Sequence, residues 1–64
     1  MPLYEYGVEF TQFDEYENRE ISERTKLYFK SIPQELQVKE KLFEEGYEVL
    51  QILDYNLFRT IPDM

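Results

Sequence analysis

Three observations predict an α+β fold in the order strand, strand, helix, strand. Apolar and polar residues alternate in two stretches of the first half, a capped start opens a stretch of helical spacing, and a glycine closes that stretch before a last apolar run. Together they describe a three-stranded antiparallel sheet with one helix between its second and third strands (β-β-α-β), assembled as a homodimer.

The first strand begins at Tyr4, where Tyr4, Tyr6, Val8 and Phe10 take every second position and Glu5, Gly7, Glu9 and Thr11 take the others. Such alternation marks a half-buried strand. Asp14-Glu15-Tyr16-Glu17-Asn18 interrupts it, and the pattern resumes with Ile21, Thr25, Leu27 and Phe29 opposed by Ser22, Arg24, Lys26, Tyr28 and Lys30. The two strands therefore read as a hairpin. Antiparallel pairing brings Arg24, Lys26 and Lys30 near the acids of the first strand, and each such pair contributes about 0.2–1 kcal/mol.

Ser31-Ile32-Pro33-Gln34 has the form of a capping box, with a hydroxyl cap, a proline tolerated in the first turn and a glutamine three residues after the serine. A helix of about three turns is expected from there. Leu36, Val38, Leu42 and Phe43 supply its apolar stripe, Glu35 and Lys39 stand at i, i+4, and Gly46 supplies a left-handed stop. From Tyr47 to Phe58 apolar residues then occupy both parities: Tyr47, Val49, Leu53 and Tyr55 on one, Leu50, Ile52 and Phe58 on the other. Read as a strand, this segment needs burial on both faces. One helix covers only one face of the sheet, so the other face is expected to meet a second copy about a twofold axis. The alternative is a turn at Asp54-Tyr55-Asn56 with a short fourth strand over residues 57–61.

Length and composition bound the rest. A chain of 64 residues is one domain (residues 1–64), and at this size only about 60% of the unfolded surface is buried, so stability is marginal. With no Cys and no His, disulfides and the usual zinc sites are excluded, which leaves self-association as the support. No run approaches the roughly 20 apolar residues of a membrane span, and no signal peptide opens the chain, so a cytoplasmic protein is expected. At 42% hydrophobic residues it is too apolar for a disordered acidic tail.

Fourteen acids face seven bases, and the net charge of −7 is unevenly spread. Residues 1–18 carry Glu5, Glu9, Asp14, Glu15 and Glu17 with no base, and residues 42–64 carry Glu44, Glu45, Glu48, Asp54 and Asp63 against Arg59 alone. Such a body repels nucleic acid and membranes, while its carboxylates and its 17% aromatic residues suit a basic protein cleft. A binding module is expected, not an enzyme. The commonest nucleophile–base pairs need Cys or His, Ser22 and Ser31 have no nearby base, and no glycine loop or calcium-type spacing calls for a cofactor or metal.

Two constellations are candidates for function. Around the helix end stand Glu40, Phe43, Glu44, Glu45, Tyr47 and Glu48. Acids there oppose the macrodipole by a few tenths to about 1 kcal/mol each, and a broken local rule points to function. The competing account makes Phe43 and Tyr47 core residues and the acids a solvated rim near Lys41. Among the six tyrosines, Tyr28 lies on the polar parity of its strand between Lys26 and Lys30, so an exposed contact ring is expected there.

An acidic, tyrosine-rich chain of this size, with this element order and Phe43-Glu44-x-x-Tyr47 at the helix end, resembles the small dimeric inhibitors of uracil-DNA glycosylase made by podoviruses of Bacillus, although Gly46 stands inside the motif. The resemblance implies a DNA-mimicking homodimer. Its two helices would flank an apolar groove that captures the enzyme's wedge leucine, and its acids would stand in for phosphates. Tyr4-Glu5-Tyr6 and Glu45-Gly46-Tyr47-Glu48 are also similar to an uncharacterised family of small bacterial domains. Size and element order are similar to a small phage inhibitor of RNA polymerase, which gives the alternative of a regulatory adaptor that binds another partner through an aromatic face or sheet edge.

Overall fold

The computed structural model describes residues 1–62, so Asp63, one of the acids counted above, lies outside it. Strands β1 (Leu3–Asp14) and β2 (Arg19–Phe29), helix α1 (Glu35–Glu44) and strand β3 (Gln51–Ile61) follow in the expected order. They form one antiparallel sheet arranged β2-β1-β3, an α+β fold with the first strand at its centre.

The hairpin closes where the acidic cluster interrupts the alternation. The Asp14 carboxylate accepts the backbone N–H of Tyr16 at 2.9 Å, and Asn18 takes the left-handed conformation (φ 54°) that asparagine tolerates best after glycine. On one face of the sheet Tyr6, Val8, Phe10 and Leu27 are buried against Val38 and Leu42 of α1 and Val49. The period of two then assigns Glu5, Gly7, Glu9 and Thr11 to the opposite, open face. The β1–β3 pairing spans Leu3 to Thr11, so Gln12–Asp14 pair with β2 alone and the hairpin projects as a two-stranded ribbon.

The helix starts later than the Ser31 capping box implies. Its N-cap is Gln34, and the box is built from Gln34 and Gln37, with the Gln34 N–H donating to Gln37 Oε1 at 2.8 Å. Pro33 is the reason. It biases Ile32 away from helical geometry, and its own ring is buried, so Ile32-Pro33 are spent carrying the chain onto the sheet. The stop falls as expected. Gly46 adopts φ 98°, its N–H bonds the carbonyl of Phe43, and the Tyr47 N–H bonds that of Leu42, which closes a Schellman motif. Of the expected apolar stripe only Val38 and Leu42 are buried. Leu36 and Phe43, seven residues apart and therefore on one line of the helix, are 66% and 53% exposed.

The last strand corrects the reading of residues 47–58. Tyr47–Leu50 form a link and not a strand: the Tyr47 ring packs on Phe10 at 5.0 Å, Val49 is buried, and the Leu50 N–H bonds the Thr11 carbonyl at 2.8 Å. No turn forms at Asp54–Asn56 and no separate fourth strand follows, because β3 runs unbroken from Gln51 to Ile61. Its pairing slips twice. Phe10 and Glu9 face Ile52 and Asp54, leaving Leu53 unopposed, and Tyr6 and Glu5 face Leu57 and Arg59, leaving Phe58 unopposed. Each extra residue inverts the parity. Ile52, Tyr55 and Leu57 thus share the helix-covered face, and the apparent demand for burial on both faces is largely one face read through two bulges. What remains exposed along this outer strand is Leu53, Leu57 and Phe58.

Candidate functional site

The residues expected at the helix end divide into two groups. Glu40, Phe43, Glu44, Glu45 and Glu48 all face solvent at the C-terminal end of α1 or just beyond it. Glu40 and Glu44 are one turn apart, so a short acidic row runs beside the Phe43 ring. Lys41 Nζ lies 3.9 Å from Glu44 Oε2 and offsets part of that charge. The Schellman turn satisfies the last carbonyls with backbone N–H groups, and the acids do not displace those bonds.

Tyr47 does not join this patch. Gly46 turns the chain out of the helix, and the Tyr47 ring meets Phe10 edge-on at 68°, as a half-buried packing residue. The two rings of Phe43-Glu44-x-x-Tyr47 therefore separate, one outward and one inward. Tyr28 is exposed as expected but lies on the open face, away from α1, where its hydroxyl donates to Glu5 Oε1 at 3.1 Å. On the other flank of α1 a cavity of about 370 Å³ opens between Leu36 and Lys39 and the start of β3 at Gln51 and Ile52. It extends the apolar line of Leu36 and Phe43 towards β3.

Periodicity does not find the most connected polar side chain of the sheet. Glu5 is 2% exposed although it sits on the open face. The register sets it directly between Tyr28 on β2 and Arg59 on β3. Arg59 Nε donates to Glu5 Oε2 at 2.5 Å, and Lys26 Nζ stands 3.9 Å from Oε1. Hydrogen bonding to Arg59 holds the Glu5 carboxyl below the usual carboxylate range; burial opposes this, and the Tyr28 bond and the two positive charges reinforce it. The same carboxylate pushes the Tyr28 hydroxyl and the Arg59 guanidinium upward. The signal available in the sequence was Arg59, the one base among residues 42–64.

Lys26 also lies over the Phe58 ring, 4.5 Å from its centroid. The two reach each other across Gly7, which faces Lys26 on one side and Asn56 on the other and presents no side chain. Beside them a cavity of about 470 Å³ is lined by Gly7, Glu9, Arg24, Lys26, Asp54 and Phe58. Its charges are already matched in part, since Arg24 lies 3.5 Å from Glu9. Among the described residues no group of three or more carboxylates gathers as a metal cage, and no helix is long and apolar enough to cross a membrane. No protein-family model, curated protein or solved structure matches this chain.

Proposed function

We propose that this chain is a DNA-mimicking inhibitor that occupies the basic cleft of a DNA-binding enzyme, with uracil-DNA glycosylase as the target that the motif resemblance favours. The observation that carries the reading is Phe43, a half-exposed ring at a rigid helix end among Glu40, Glu44, Glu45 and Glu48. A glycosylase holds anionic DNA and unstacks a base with an inserted side chain, so it offers positive charge beside an apolar wedge. Carboxylates beside an exposed ring complement both. DNA carries a charge every ~3.4 Å along each strand and helix neighbours lie about 6 Å apart, so one chain imitates only a few phosphates. Pairing of two copies along β3, whose Leu53, Leu57 and Phe58 are exposed, would double the row. The protein then acts by binding, without a cofactor, in the cytoplasm where its target works.

The test is uracil excision from DNA by purified glycosylase, titrated with this protein and with Phe43→Ala. Because the ring is exposed, the substitution should cost less than about 1 kcal/mol of folding stability and about 2 kcal/mol or more of affinity. Undiminished excision in the presence of excess folded protein rejects the glycosylase. One observation favours a second reading: the exposed apolar edge of β3 also suits an adaptor that adds a strand of another partner, such as RNA polymerase, to its sheet. Salt separates the two, since a mimic's association weakens steeply with ionic strength and an apolar edge contact does not.

A further inference from the structure

We propose that Glu5 is an acid-sensitive clamp that holds the C-terminal half of β3 on the sheet, so that its protonation releases residues 57–61 while the rest of the fold stays closed. The proposal goes beyond the inhibitor reading and does not depend on it. Its basis is how unevenly β3 is anchored. In the first half of the strand Ile52 and Tyr55 pack against the core, and the Tyr55 ring lies 6.3 Å from that of Tyr6. In the second half Leu57, Phe58, Arg59 and Thr60 are all exposed. Beyond the backbone ladder to β1, two charged links tie that half down: Arg59 to Glu5, and Phe58 to Lys26, which itself leans on Glu5. A bulge at Phe58 interrupts the ladder beside them. Segments with few buried contacts and exposed hydrogen bonds open first.

One carboxylate therefore joins all three strands. Facing it are Tyr28 and Lys26 from β2 and Arg59 from β3, with Glu9 further along β1 opposite Asp54; α1 packs on the other face. Protonation removes the negative partner of Arg59 and Lys26 together. Two cations then face each other across a neutral acid, and the half-strand with the fewest apolar contacts gives way.

Hydrogen exchange read residue by residue, corrected for the intrinsic pH dependence, tests this on the whole chain. Between pH 7 and pH 3, amides of residues 57–61 should gain at least tenfold in relative exchange rate, while those of residues 51–56 and of the β1–β2 hairpin change less than threefold. Glu5→Gln should show the same local acceleration already at pH 7, and Glu9→Gln should not. If Glu5→Gln does not fold, Arg59→Gln decides, because it breaks the same link from the exposed side and should free residues 57–61 at neutral pH. Uniform acceleration along the chain, or protection of residues 57–61 unchanged at pH 3 and in the variants, overturns the proposal.

Discussion

The two strands that flank β1 are attached in different ways. β2 pairs with β1 in unbroken register from Tyr4–Phe29 to Asp14–Arg19, joined by a four-residue turn. β3 arrives from the far end of the chain, by way of the helix, and pairs with two slips. β2 carries Arg19, Glu20, Glu23, Arg24 and Lys26, charges that discourage another strand from pairing. β3 carries only Asp54 and Arg59, and leaves Leu53, Leu57 and Phe58 exposed. The local, charged strand is self-sufficient, whereas the non-local, apolar strand depends on a few side chains and invites a partner. In a domain this small, the place where stability is thinnest and the place where association is favoured are the same strand.

The sharpest test of that contrast compares a leucine from each flank. Leu27 on β2 is buried in the core, and Leu27→Ala should cost about 2–5 kcal/mol, enough to unfold a marginal domain. Leu57 on β3 is exposed, and Leu57→Ala should cost less than about 1 kcal/mol in urea unfolding. Equal losses would mean that the two flanks are equally built into the core.

Association separates the edges next. If β3 is where copies meet, Leu53→Lys with Leu57→Lys should weaken self-association at least tenfold in sedimentation experiments, while Glu23→Lys on β2 leaves it unchanged. The melting temperature of the unaltered chain should also rise with concentration. A single-chain mass at micromolar concentration, with concentration-independent melting, breaks the idea.

Glu5 gives the comparison a pH dependence of known sign. Its carboxyl is held below the usual range, so the stability it contributes is present above the unfolded-state value of about 4.3 and is lost as pH falls through the lower folded value. Tyr28 is pushed the other way, so its contribution is complete below about pH 10 and is lost as pH rises through its raised value. Glu5→Gln should flatten the acid limb of a stability profile, and Tyr28→Phe the alkaline limb. An acid limb unchanged by Glu5→Gln would assign it to the exposed carboxylates.

How much of this was legible in the sequence follows from the same contrast. The hairpin and the helix stop were readable because their signals are local: alternation, an asparagine-ended turn, a glycine in the left-handed region. The helix start was misplaced because Ser31 offered a familiar cap while the burial of Pro33 postponed the helix to Glu35. β3 was read as two-faced because period-two counting assumes regular pairing, and the extra residues Leu53 and Phe58 are fixed only by its partner. Glu5 was read as a surface acid because nothing local tells a paired carboxylate from a solvated one. Phe43 was singled out by its motif, and Tyr47 was misassigned with it because the motif does not show where the helix ends.

The smallest expected effect on folding concerns the acids at the end of α1, and it sharpens the comparison by setting a surface without structural duties beside the two strands. Glu44, Glu45 and Glu48 are exposed, and the last helical carbonyls are satisfied by the backbone N–H groups of Gly46 and Tyr47. Only the Lys41 contact of Glu44, at 3.9 Å on the surface, is lost on neutralisation, and such pairs contribute little. Relief of the unfavourable dipole interaction works in the opposite direction by a few tenths of a kcal/mol per acid. Replacing all three by Gln should therefore leave thermal stability within a few tenths of a kcal/mol of the unaltered protein, or slightly above it. If these carboxylates stand in for phosphates, the same triple substitution should weaken target binding at low salt and flatten its salt dependence, because fewer ions are exchanged on association. A collapse of thermal stability with unchanged binding per folded molecule would make the acids structural and leave the β3 edge as the remaining surface for a partner.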